Sequence, residues 1–298
     1  MGSSHGGAGN RFRVTVDDLR RAVDAEVRRN WSDRQWMRWL DAAAVLHGQS
    51  FRNVVLIKLQ MPDAVRVADW SGWQRHGRRV ARGASGIRIV ASAREVDLAA
   101  GSVQGHGVAT VWDVSQTEGS PMRPMGTVAD LRSEDVYVAL ARVAVDAGYR
   151  VYRQPLPDEP TGAITDRGRR RVIVSDELDG PVAAMRLAHE LAHLRMHKLS
   201  RDSGCHGLAR LEAESVAYTM LARFGVLPAH QMASAAGTIG RNPPVRLVET
   251  LGGRVVATAR RLIETTERHL PTTQLLPGKA RTAPMPLDTE DRELGPSL

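Results

Sequence analysis

The pattern of apolar and polar positions predicts a chain of helices interrupted by short β segments. Residues 17–29 place Leu19, Val23 and Val27 on one stripe, the signature of an amphipathic helix. Ser32 and Gln35 have capping-box spacing ahead of a second helix that sets Trp36, Trp39, Leu40 and Ala43 on one face and ends near Gly48. Trp31 shares that spacing and is read with Trp36 and Trp39 as core. Residues 51–60 are apolar enough to be helix or strand. Residues 71–82 read as a helix stopped by Gly83. Residues 86–91 alternate and are β-like, and 107–114 are a second β-rich run. Gly119, Pro121, Pro124 and Gly126 make 115–130 an irregular connection and a domain boundary.

Beyond that boundary the pattern predicts a helix over 134–147 ended by Gly148. A hairpin of 163–165 and 171–175 follows, turning at Asp166-Arg167-Gly168. Pro181 suits a first helical turn and opens a long helix over 182–199. Further helices cover 207–224 and 246–269. The fold class is therefore α+β in two domains: 11–130, mixed α and β, and 131–270, mainly helical with a small sheet. Residues 1–10 are Gly/Ser-rich, and 271–298 carry five prolines without periodicity; both are expected to be disordered tails.

Composition narrows the classes. Of the 298 residues, 42% are hydrophobic and 25% charged, which excludes a collagen-like fibre, a coiled coil or global disorder. Apolar runs such as 54–57 fall far short of the ~20 residues of a membrane helix, so no membrane partner is expected. No basic-then-apolar leader opens the chain. The single cysteine, Cys205, excludes an internal disulfide and any multi-cysteine zinc site, and points to a reducing cytoplasm. Residues 11–133 hold 19 Lys+Arg against 13 Asp+Glu, and residues 134–298 hold 22 against 20, so the positive charge gathers in the first half. Lysine occurs only at Lys58, Lys198 and Lys279; the other cations are arginines, whose planar fork suits phosphate.

The sharpest chemical signal is His189-Glu190-Leu191-Ala192-His193, an HExxH sequence inside a predicted helix. Positions four apart share a helix face, so both imidazoles can reach one zinc ion while Glu190 addresses an activated water as general base. Leu187, Leu191 and Leu194 give the same helix an apolar back. A third protein ligand is required, and Asp202, Cys205, His206, Glu212 and Glu214 remain open. Glu212 and Glu214 flank the buried stripe of their helix at similar angles, so periodicity does not choose between them. His197 lies eight residues from His189, about 12 Å of helix rise, too far to join the same ion, and is read as supporting or packing.

In the first half, Arg75, Arg78, Arg79, Arg82 and Arg88 cluster near Trp70 and Trp73. Arginines can neutralise phosphates, and an indole can stack on an unpaired base for about 1–3 kcal/mol. The plainer reading is a solvated cationic face over two core tryptophans. No helix-turn-helix or zinc-finger signature points to duplex reading.

Four ordered blocks carry a resemblance: Ser50-Phe51-Arg52-Asn53-Val54-Val55-Leu56-Ile57; Gln60-Met61-Pro62-Asp63-Ala64; Trp73-Gln74 with Gly77-Arg78-Arg79-Val80 and Gly83-Ala84-Ser85-Gly86-Ile87; and Trp112-Asp113-Val114-Ser115-Gln116-Thr117-Glu118-Gly119. With them, about residues 30–225 resemble the ArdC-like antirestriction proteins of mobile elements. These join a domain binding single-stranded DNA to a zincin-like metallopeptidase domain. The second half is also similar to ImmA/IrrE-like metallopeptidases, whose Glu-Ala-acid-x-x-Ala pattern is matched by Glu212-Ala213-Glu214-Ser215-Val216-Ala217. The chain departs from the family at Arg82-Gly83-Ala84-Ser85-Gly86, where a Lys-Gly-Glu turn is frequent.

The resemblance implies Zn2+ held by His189, His193 and Glu212, with Glu190 catalytic. It also implies DNA contact through some of Arg75, Arg78, Arg79, Arg82 and Trp73. It implies an antirestriction function with single-stranded DNA and a host protein or peptide as partners. Two other functions fit the same residues. One is a regulatory zinc protease cleaving a DNA-associated repressor. The other is a single-strand binder whose zinc is structural and silent.

Overall fold

A computed structural model describes residues 14–91, 107–121, 131–157, 159, 161–197, 205–227 and 243–271. The expected amino-terminal tail, and all of the expected carboxy-terminal tail but Pro271, lie outside them. The fold is α+β.

Helix α1 (Val16–Asn30) begins at a full capping box: Asp18 N–H donates to Thr15 Oγ1, and Thr15 N–H donates to Asp18 Oδ2 at 2.8 Å. Its stripe of Leu19, Val23 and Val27 is buried as expected. Helix α2 (Asp33–Val45) lacks the expected box, because the Ser32 hydroxyl bonds the Gln35 side chain rather than a backbone N–H. Helix α3 (Phe51–Gln60) settles the ambiguous segment. Ser50 caps it, and Phe51, Asn53, Val54, Val55, Leu56 and Ile57 are buried, as suits a helix enclosed on most sides.

The predicted 71–82 helix is the main correction. Helix α4 (Trp70–Arg75) lasts under two turns and stops where Gly77 turns left-handed at φ +68°. The chain then becomes strand β2 (Arg78–Val80). Strands β1 (Val67–Ala68), β3 (Ile87–Val90) and β4 (Val108–Asp113) form an antiparallel sheet in the order β1-β4-β3. The expected irregular connection also holds structure: a 3-10 turn at Val114–Gln116, then β5 (Thr117–Gly119), which pairs with β2. Residues 122–130 lie outside the described ones.

The outer edge of β3 would leave backbone groups unpaired, and α3 supplies partners. Asn53 bonds Val90 N–H and C=O, both at 3.1 Å, and Gln60 bonds Arg88 N–H and C=O, both at 2.8 Å. Two amide side chains thus close a sheet edge that could otherwise recruit another strand.

The second half holds α5 (Ser133–Asp146), β6 (Arg150–Arg153), β7 (Ala163–Asp166), β8 (Arg171–Val174), α6 (Gly180–Met196), α7 (Gly207–Phe224) and α8 (Val245–Glu267). The β7–β8 hairpin was expected. Strand β6, which joins β8 in parallel, was not. The first three helices pack onto the last two. Trp36 Nε1 donates to Ser215 Oγ at 2.9 Å, Arg52 holds both oxygens of Glu249 at 2.7 and 3.0 Å, and Phe51 lies against Gly252. Buried apolar side chains from Leu19 to Leu270 form one continuous cluster. No described helix is long and apolar enough to cross a membrane.

Candidate metal centre and nucleic-acid face

Helix α6 is started by Asp179, whose side chain accepts from Val182 N–H at 2.9 Å, with Pro181 in the first turn. Its apolar back, Leu187, Leu191 and Leu194, is buried. On the other face His189 and His193 bring their Nε2 atoms to 3.0 Å of each other. Cys205, two residues before α7 begins, puts Sγ 3.0 Å from His189 Nε2 and 3.3 Å from His193 Nε2. Among the described residues, these three donors gather within 4.8 Å of one another.

The donor set fits a zinc-like ion. Two imidazole nitrogens and one sulfur, 3.0–3.3 Å from one another, are donors that would hold such an ion. Burial pushes the His189 imidazole down to about 3 and the His193 imidazole down to about 4, so both are neutral and offer lone pairs. Burial also pushes the Cys205 thiol up to about 11; a cation held here would favour the thiolate instead.

Glu190 is buried beside the histidines. Burial raises its carboxyl to about 7, opposed by a 2.6 Å hydrogen bond that Thr165 Oγ1 on β7 donates to Oε2. Sequence reasoning missed Thr165. The signal was the hairpin ahead of the HExxH helix, but nothing local says which hairpin residue faces the glutamate.

The other expected ligands lie elsewhere. Glu212 does not join the donor triangle. It is 2% exposed, its Oε2 is 2.9 Å from His197 Nε2, and its Oε1 is 3.2 Å from Arg254 Nε. His197 in turn places Nδ1 2.8 Å from His193 Nδ1. Glu214 is ion-paired with Arg210 at 2.8 Å. His206 is exposed at the start of α7, and Asp202 lies outside the described residues. Of the five residues left open by spacing, the structure brings Cys205 to the imidazoles.

The cationic cluster of the first half divides in two. Trp73 is fully buried and donates its indole N–H to Trp112 O at 2.9 Å, so it has no face to offer a base. Arg78 is also buried. Its guanidinium bonds Thr117 Oγ1 at 2.7 Å, Thr117 O at 2.8 Å, Gly119 O at 3.2 Å and Ser120 O, clasping β2 to β5. Both residues belong to the scaffold, against expectation. Arg75, Arg79, Arg82 and Arg88 are exposed. Trp70 is 50% exposed and meets Trp112 edge-on at 6.4 Å. Strand alternation sends Ile87, Ile89 and Val111 inward and leaves Arg88, Thr110 and Trp112 on the opposite face. Gly86 makes room for that face: a Cβ there would lie 2.2 Å from Thr110 Cγ2 and 3.2 Å from the Trp112 ring.

No family model matches the chain, and no curated protein matches it. The chain is similar to crystal structures of the antirestriction protein ArdC from the R388 plasmid. The Mn(II)-bound form is 17% identical over 74% of this chain and 84% of that one, with a TM-score of 0.46. The metal-free form is 16% identical over the same shares, with a TM-score of 0.44.

Proposed function

We propose that the chain is an antirestriction-type protein of the cytoplasm. In this reading the region 11–130 binds single-stranded DNA, and the region 131–270 is a zinc-dependent peptidase acting on a protein or peptide. The observation that carries the proposal is the meeting of His189, His193 and Cys205 beside a buried, hydrogen-bonded Glu190. A zinc ion held by these three donors would supply Lewis acidity at its remaining open position.

The protein's own groups account for the proton. Thr165 occupies Glu190 Oε2 and fixes the carboxylate, which leaves Oε1 to accept a proton from the attacking water. An acid held near 7 is well matched to take that proton and return it to a leaving amine at neutral pH. In the first half, Trp70 on α4 offers a stacking surface, and the exposed Arg75, Arg79, Arg82 and Arg88 offer phosphate contacts.

The test uses the full chain. Glu190→Gln should keep about one zinc per chain, lose peptidase rate by at least ~10²-fold and leave DNA affinity unchanged. Trp70→Ala and the joint reversal of Arg79 and Arg82 to glutamate should weaken single-strand binding across all sequences, with a strong salt dependence read by fluorescence anisotropy. Retained hydrolysis in Glu190→Gln refutes the peptidase half. Equal or tighter binding to blunt duplex refutes the single-strand half. Full protection of an incoming plasmid by Glu190→Gln in a restricting recipient would separate antirestriction from hydrolysis.

A further inference from the structure

A second cleft, of about 410 Å³, lies between α5, α6 and the turn of the β7–β8 hairpin. Its floor is Leu191 and Leu194, on the apolar back of α6 rather than on the imidazole face. Tyr149, Arg167 and Arg195 stand around it. Both arginines are exposed, and Arg167 also reaches the His193 carbonyl at 3.4 Å. The exposed Arg170 comes over the adjoining turn, where its Nη1 would lie 3.5 Å from a Cβ on Gly148. The acid in the lining, Asp146, is held by His269, with Nε2 at 2.7 Å from Oδ2. An apolar floor under a cationic rim suits an acidic segment that carries an apolar side chain.

The His269 contact also brings the end of α8 to the edge of this cleft. Leu270 is buried, and Pro271 follows at the surface. The sequence beyond includes Leu287-Asp288-Thr289-Glu290-Asp291-Arg292-Glu293-Leu294, four acids against one arginine with a leucine at each end. Asp288 comes seventeen residues after Pro271, and a coil of that length spans about 20–25 Å. The acidic stretch is therefore tethered within reach of a cationic cleft, and a short tether fixes the local concentration of its carboxylates in the range of about 1 mM.

We propose that residues 287–294 dock in this cleft, with their carboxylates against Arg167, Arg170 and Arg195 and a leucine over Leu191 and Leu194. The cleft is an acidic-peptide site whose occupant belongs to the same chain. Docking on the back of α6 leaves the imidazole face open, so the contact forms with or without a metal ion.

The experiment uses the full chain carrying Arg195→Lys, which sets an amine in the rim where a carbodiimide can join it to a neighbouring carboxylate. Cross-linked monomer, formed at low protein concentration, is digested and read by mass spectrometry. The amine should couple to Asp288, Glu290, Asp291 or Glu293. Adding Arg167→Ser and Arg170→Ser should lower that yield about 5-fold, the scale of two exposed ion pairs, and about 0.5 M salt should lower it likewise. Arg170→Lys repeats the test from the adjoining turn and carries it if Arg195→Lys fails to fold by circular dichroism.

Coupling to Asp146 with none to 288–293 shows a reactive amine without the segment and overturns the proposal. Cross-links confined to covalent dimers place another copy's segment in the cleft and overturn it as well. So does a yield indifferent to salt and to the loss of the other two arginines, the mark of random encounters along a tether.

Discussion

Burial of Glu190 has a thermodynamic consequence that needs no substrate. Its carboxyl is carried from the ordinary 4.5 to about 7, with burial as the leading cause. The folded, metal-free protein therefore holds this proton to higher pH than the unfolded chain does. At pH below 4.5 both states are protonated and the residue costs nothing. Between 4.5 and 7 the unfolded chain loses the proton first, and stability falls by up to about 1.4 kcal/mol per pH unit. Above 7 both are ionised and the full cost, about 3 kcal/mol, is in force. Glutamine cannot ionise and can still accept the Thr165 bond. Glu190→Gln should thus match wild type near pH 4.5 and exceed it by about 3 kcal/mol at pH 8. The assay is urea unfolding with a chelator present, from pH 5 to 8.5, followed by tryptophan fluorescence. A difference independent of pH, or a less stable glutamine variant at pH 8, would refute the reasoning.

Two further substitutions test how the first three helices dock on the last two. Gly252→Ala would set a Cβ 2.1 Å from Phe51 Cδ2, so overpacking should lower stability by about 1–3 kcal/mol, read as a reduced urea midpoint. Trp36→Phe strands the buried Ser215 hydroxyl and should also cost about 1–3 kcal/mol. Adding Ser215→Ala should return part of that loss in the same unfolding assay, because the unpaired acceptor is then gone.

The parts of this fold that sequence made legible are those whose cause is local. Helix α1 carries its stripe within fifteen residues and its cap on the residue just before them, and α7 runs over Gly207–Phe224 as its pattern predicts. The parts that escaped depend on distant partners. Arg78-Arg79-Val80 has nothing strand-like about it alone; it is a strand because Gly77 breaks the helix and Thr117–Gly119 arrives to pair with it. Strand β6 exists only as the parallel neighbour of β8. Trp70 and Trp73 share one short helix, and only the sheet beneath decides that Trp73 is enclosed and Trp70 half-exposed.

The metal centre divides along the same line. His189 and His193 are fixed to one face by helical geometry, so the HExxH spacing was sufficient to pair them. Cys205 sits outside any helix, and no periodicity reports where a loop residue returns; it was one of five open choices until the fold carried it to the imidazoles. Glu212 and Glu214 were equivalent by angle on α7, and their neighbours break the tie. Glu214 finds Arg210 one turn away on its own helix, a pairing that needs no tertiary structure. Glu212 faces α6 and α8: Oε2 meets His197 Nε2 at 2.9 Å, and Oε1, buried without a hydrogen-bond partner, lies 3.2 Å from Arg254 Nε. The resemblance singled out Glu212 as a ligand; in the structure its Oε2 lies 2.9 Å from His197 Nε2, and His197 Nδ1 lies 2.8 Å from His193 Nδ1.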